Sequence, residues 1–270
     1  MRLIVLAYFS ILSTVASADG KVMYLANEGL MVQAGDSKVL FDPIFRNSYD
    51  TYQLVPPEIE DNLLAGEAPF DGINAVFVSH YHGDHFSAGD MLDYLRKNTN
   101  VTLYAPAQAT ESLIYFAKDE ETDLLARIVG MDINYGDPAV EMTVGEISLE
   151  AFHIPHSGWP DRRPEVQNIA FRVTLGDITV LHMGDADTRD EHFAIDGERW
   201  AARHIDAAFP PYWYFTSEKG LAVLEGRLKP GMAVGVHVPI KLDPRYSDGL
   251  DEVDLFRQPG ETRSISDSGE

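Results

Sequence analysis

The chain has 270 residues, a net charge of −22 from 43 acidic against 21 basic residues, 45% apolar residues, nine histidines and no cysteine. Such acidity argues against a general nucleic-acid binder, which needs a basic face to displace counterions from phosphates, and more weakly against tight docking on anionic membranes. The missing cysteines exclude thiolate catalysis, disulfides and sulfur-ligated zinc, so any transition-metal site has to be assembled from His, Asp and Glu.

In chain order, the first residues read as an export signal. Arg2 supplies a short positive end, Leu3 to Val15 is an apolar run, and Ala16-Ser17-Ala18 fits a small-x-small cleavage site. The expectation is a signal peptide over 1–18 and a single mature domain over 19–270. It would be secreted or periplasmic, with no stable membrane insertion after cleavage. Strands are predicted at 22–26, 30–34 and 39–41, the last ending at Asp42-Pro43. Residues 44–70, broken by Pro56-Pro57 and Pro69, read as irregular, and so long an irregular stretch is commonly functional.

A β-rich run at 75–79 precedes a helix over 88–97, with Met91, Leu92 and Leu95 apolar at helical spacing. A strand at 101–105 and a helix at 108–116 follow. Strand pairs at 141–144 with 147–154, and at 169–175 with 178–182, flank Gly145-Glu146 and Gly176-Asp177 as hairpins. Later strands at 207–209 and 233–238 enclose a helix at 220–228, and the polar end from about Ser264 is expected to fray. Alternating strands and helices interrupted by hairpins predict an α/β chain with mixed sheets covered by helices.

The chemistry concentrates where the 75–79 strand ends, in Ser79-His80-Tyr81-His82-Gly83-Asp84-His85. His80 and His82, two apart, point the same way in extended chain. Gly83 lets the backbone turn so that Asp84 and His85 come back beside them. Neutral imidazole nitrogen and carboxylate oxygen are the zinc donors left when sulfur is absent. Four residues do not complete two sites, and the same local pattern recurs further on. Apolar runs lead to His156 after Pro155, to Asp185 after Gly184, and to His237. Strand ends of an open α/β fold converge on one sheet edge, where such folds place their sites.

The HxHxDH string at His80–His85, the later His, the Asp after Gly and the C-terminal His together resemble the metallo-β-lactamase superfamily. Phe41-Asp42-Pro43, Asn168-Ile169-Ala170-Phe171 and Met183-Gly184-Asp185 are similar to its ascorbate-6-phosphate lactonase-like branch. The resemblance implies an αββα sandwich of two mixed β-sheets flanked by helices, with the site on one edge. It implies a first metal on His80, His82 and His156 and a second on Asp84, His85 and His237, bridged by Asp185. His153 competes for the role given to His156, which is preferred because it follows the strand-ending Pro155. His82, where iron-type redox members carry an acidic residue, favours the hydrolytic, two-zinc reading; manganese or iron(II) also suit such donors.

The expected function is a metal-dependent hydrolase acting on an ester-like bond of a small molecule, of lactone or phosphoester class. Its nucleophile is water activated by two zinc ions, and Asp84 is the candidate proton acceptor. The alternative is a metal-binding accessory protein of the same fold with little turnover. Trp159 and the stretch Tyr212-Trp213-Tyr214-Phe215 are candidate pocket walls. His182 is expected to face the interior, and His192 and His204 to be surface or helix residues.

Overall fold

The computed structural model describes residues 20–243 and 249–267; the export-signal reading of 1–18 lies outside them. β1 (Gly20–Ala26), β2 (Gly29–Ala34) and β3 (Ser37–Phe41) form an antiparallel meander. After α1 (Pro57–Ala65), the strands β4 (Ala75–Phe77), β5 (Thr102–Pro106) and β6 (Ile128–Met131) extend it in parallel. Their connections contain α2 (Ala88–Lys97), α3 (Ala107–Phe116) and α4 (Thr122–Leu125).

A second sheet starts with the antiparallel strands β7 (Val140–Val144), β8 (Ile147–His153), β9 (Ile169–Leu175) and β10 (Ile178–His182). After α5 (Asp190–Ala194) and α6 (Gly197–Ala202), β11 (Ala207–Phe209) joins in parallel. After α7 (Glu218–Ala222), β12 (Met232–Ala233) does the same, and β13 (Thr262–Ile265) returns to pair antiparallel with β1. The sheet orders are β13-β1-β2-β3-β4-β5-β6 and β12-β11-β10-β9-β8-β7. Both sheets are mixed, and the αββα expectation holds.

Period-two alternation builds the sandwich. Ile169, Phe171, Val173 and Leu175 of β9 enter the core between the sheets with Val22, Val32, Phe41 and Phe77 of the first sheet. The other face of the first sheet takes Met91, Leu92 and Leu95 of α2 and Leu113 of α3. The other face of the second takes Phe193 of α5 and Trp200 of α6. Each such fully buried large side chain contributes about 1.5–3 kcal/mol. Arg172 also lies on that second outer face. It is fully buried, grips Glu150 through two bonds of 2.7 and 2.8 Å, and donates to the Arg199 carbonyl at 2.9 Å. No helix among the described residues is long and apolar enough to cross a membrane.

Four expectations change. The 44–70 stretch holds a helix, because Pro57 sits in the first turn, where no N–H is needed, and Gly66 closes the last turn at φ +67°. The end of the chain does not fray at Ser264: Ile265 is fully buried and pairs with Gly20. The helix read at 220–228 is α-helical only to Ala222 and widens to π turns over Val223–Leu228. The 233–238 strand stops at Ala233, and the backbone beyond turns sharply into His237, whose φ is +59°.

Candidate metal centre

Four strand ends open on the same edge of the sandwich. β4 delivers His80, His82, Asp84 and His85. β8 delivers His156, β10 delivers Asp185, and β12 leads to His237. All seven residues read from the sequence come together there. Donor atoms of His80, His82, His156 and Asp185 lie within 4.8 Å of one another, and so do those of Asp84, His85 and His237. Asp185 stands between the two groups. Its Oδ2 is 3.0 Å from His156 Nε2 and 3.9 Å from His80 Nε2. Its Oδ1 is 3.1 Å from His237 Nε2 and 3.4 Å from His85 Nε2. His82 presents Nδ1, 3.0 Å from His80 Nε2 and 3.2 Å from His156 Nε2. Asp84 Oδ2 is 3.4 Å from His237 Nε2 and 3.7 Å from His85 Nε2. His153 takes no part: its Nδ1 donates to the Ile133 carbonyl at 2.6 Å.

A surrounding layer fixes this geometry. Asp42, at the end of β3, accepts from the Ser79 amide (2.7 Å), the Ser79 hydroxyl (2.6 Å) and His85 Nδ1 (2.8 Å). That directs the other ring nitrogen of His85 toward Asp185 and Asp84. Buried Asn168 donates to the carbonyls of Ile154 and Met183 (both 3.1 Å) and accepts from the Asp185 amide at 2.9 Å. It therefore ties the loops after β8 and β10 together.

The profile of a family described as "Beta-lactamase superfamily domain" matches residues 37–238. The chain belongs to that superfamily. A protein of Chelativorans sp. (strain BNC1) named "UPF0173 metal-dependent hydrolase" is 29% identical over 174 residues. That match spans 62% of this chain and 63% of the relative, just under two thirds of its length. Among solved structures, Igni18, titled a novel metallo hydrolase from Ignicoccus hospitalis, superposes with a TM-score of 0.60 at 18% identity, covering 92% of this chain and 99% of that one. YhfI, a metallo-beta-lactamase fold protein of Bacillus subtilis, gives 0.59 at 16%, with the same coverage. These two likenesses establish the fold.

In this superfamily domain the electrostatics suit cations. Burial, reinforced by neighbouring imidazoles, holds His80 well below the usual histidine range and pushes His82 down to about 4. Both are neutral at pH 7, as ligation requires. Burial opposes the ionised form of Asp185, but His237, His85 and His156 outweigh it and hold the carboxyl well below its usual range. Asp185 Oδ1, His85 Nε2 and His237 Nε2 are buried without a hydrogen-bond partner, although they face one another. Buried polar atoms are rarely left so. An oxygen and two nitrogens converging in this way are a donor set suited to holding a metal ion.

The centre floors a cavity of about 410 Å³ walled by Tyr49, Tyr52, Ser157, Arg163 and Trp213. The Tyr52 ring meets His237 edge-on at 4.1 Å, and burial pushes its phenol up to about 12. Of the aromatic candidates, Trp213 faces the cavity, while Trp159 packs on Tyr135 and His192. His182 is fully buried, His192 lies in α5 but is buried, and His204 is exposed. Tyr49, Tyr52 and Thr51 all come from the stretch read as irregular, which gives it a role at the cavity. A larger hollow, about 910 Å³, lies elsewhere around Glu150, Arg172 and Arg199, whose charges are already paired with one another.

Proposed function

We propose that this protein is a metal-dependent hydrolase that cleaves an ester-like bond, of lactone or phosphoester class, in a small anionic molecule. One observation carries the reading: the two oxygens of Asp185 face two separate groups of donors, as a bridging carboxylate between two ions requires. His80, His82 and His156 would hold one ion and Asp84, His85 and His237 the other. Bound there, a pair of divalent ions, zinc in this reading, supplies Lewis-acid polarisation and acidifies water for attack near neutral pH. The relative's name, metal-dependent hydrolase, supports the same activity.

The chain's own groups supply the remainder. Asp84, at the cavity floor, is the carboxylate placed to accept a proton from the attacking water and pass it on. Arg163 stands at the rim, exposed and with no side-chain partner among the described residues. An unpaired guanidinium there, in a chain of net charge −22, selects a substrate carrying a carboxylate or phosphate. Tyr52 and Trp213 give the substrate an apolar wall and reduce water at the floor. A cavity of about 410 Å³ is at the small-molecule end of ligand pockets.

The test is metal analysis followed by a panel of lactones, phosphodiesters, thioesters and β-lactams. The expected result is two bound ions per chain and chelator-sensitive hydrolysis, weakened in KM by Arg163→Ala for anionic substrates only. Full metal loading with no hydrolysis across the panel would instead identify a metal-binding accessory protein.

A further inference from the structure

Beneath the centre lies a carboxylate outside the seven-residue cluster. Glu28 sits in the turn between β1 and β2 and is fully buried. Neither of its carboxylate oxygens has a hydrogen-bond partner. The two nearest imidazoles are not available to it. Its Oε2 is 3.5 Å from His182 Nε2, but that nitrogen donates to the backbone carbonyl of Glu28 at 3.0 Å. Oε2 is also 4.0 Å from His85 Nδ1, which is held by Asp42 at 2.8 Å. A carboxylate removed from water and left without partners is strongly unfavourable, so its charge has to be neutralised either by a proton or by a cation.

Glu28 is placed to meet one. Its donor atom lies within 4.8 Å of those of Asp185 and His237. Ligands held at about 2.0–2.6 Å from one ion stand roughly 3–5 Å apart. The turn is stitched to both neighbouring ligand loops: Asn27 donates from Nδ2 to the Asp84 carbonyl at 2.9 Å, and the His237 amide donates to the Asn27 carbonyl at 2.9 Å. Glu28 is therefore held in register with Asp84 and His237.

We propose that Glu28 is a third carboxylate of the second metal position, alongside Asp84, Asp185, His85 and His237, resting on the metal-centre reading above. The two positions then differ in chemical hardness. The first offers three imidazoles and one carboxylate oxygen. The second offers three carboxylates and two imidazoles. Imidazole-rich sets suit zinc, and carboxylate-rich sets suit manganese. The chain accordingly selects zinc at the first position and accepts manganese at the second.

The test titrates metal-stripped wild-type protein and Glu28→Gln with Mn²⁺, following free ion by electron paramagnetic resonance, with and without one equivalent of Zn²⁺. Bound metals are then counted after desalting. Wild type is expected to hold one Mn²⁺ beside one Zn²⁺. E28Q is expected to bind that Mn²⁺ at least tenfold more weakly and to keep its Zn²⁺. Unchanged Mn²⁺ affinity in folded E28Q overturns the role of Glu28, as does a wild type that takes two Zn²⁺ but no Mn²⁺. A wild type that binds neither ion overturns the metal centre itself. Should circular dichroism show E28Q unfolded, Glu28→Asp, which withdraws the same charge by one methylene, is read against the same tenfold criterion.

Discussion

Gly184→Ala should disorganise the centre without touching a metal donor. Gly184 precedes Asp185 and has φ +55°, where an alanine costs about 1–2 kcal/mol. A Cβ built there falls 2.4 Å from Asn168 Oδ1 and 2.5 Å from Ser79 Cβ. Neither neighbour has room to yield. Asn168 is fixed by its bonds to Ile154, Met183 and Asp185, and Ser79 by two bonds to Asp42. Overpacking of this kind costs about 1–3 kcal/mol, for a total of roughly 2–5 kcal/mol. Urea unfolding of metal-free protein, followed by tryptophan fluorescence, measures the loss. Metal counting on the same samples should show fewer than two ions, because the shift that relieves the clash moves Asp185. If G184A unfolds within about 0.5 kcal/mol of wild type and takes up metal normally, the packing account of this loop is wrong.

His82→Ala and Asp185→Ala should each lower metal content, with the Asp185 change affecting both ions because both donor groups share it; elemental analysis after desalting decides this. Asp42→Ala removes the acceptor that orients His85 and should weaken metal binding by about 10–100-fold, measured by competition with a chromophoric chelator. Glu150 predicts an acid limb of stability. Burial pushes its carboxyl up, but the Arg172 bonds outweigh this and hold it below the usual range. Because the folded value is the lower one, the pair's contribution is present above the ordinary glutamate value of about 4.3 and fades as pH falls through the depressed one. Thermal melts from pH 6 to pH 3 should show a steep loss that Glu150→Gln flattens; an unchanged slope would remove Glu150 as its source. The export reading predicts that the full 270-residue chain, expressed in a Gram-negative host, appears in the periplasm with Asp19 as its first residue by mass spectrometry. A cytoplasmic protein beginning at Met1 would end the export reading.

The candidate metal ligands were legible because their signal is local. Each follows a short apolar strand, and strand ends are brought together by any sheet whose strands share an edge. His153 and His156 were harder to separate, since both end the same strand; Ile133, distant in sequence, takes His153 by a backbone bond. Pro57 misled because proline breaks a helix interior but opens a helix just as readily, and only the Gly66 cap reveals which. Ile265 lies in an otherwise polar tail, so its burial against β1 left almost no pattern to read. Glu28 gave no signal: a lone acidic residue in a turn reads as solvated, and only the packing of β10 and the His237 loop over it removes the water.

The donors are divided between the two sheets. His80 through His85 hang from the first, and His156, Asp185 and His237 from the second. Ions held between them would act as a clasp at one mouth of the sandwich, in addition to the apolar core packed between the sheets. At a free metal concentration 100 times its dissociation constant, each such ion contributes about 2.7 kcal/mol to holding the halves shut. Stripping the metal should therefore quicken amide exchange in the clasp loops while the far ends of β1 and β9 stay protected, so that metal supply alone tunes how easily the mouth opens.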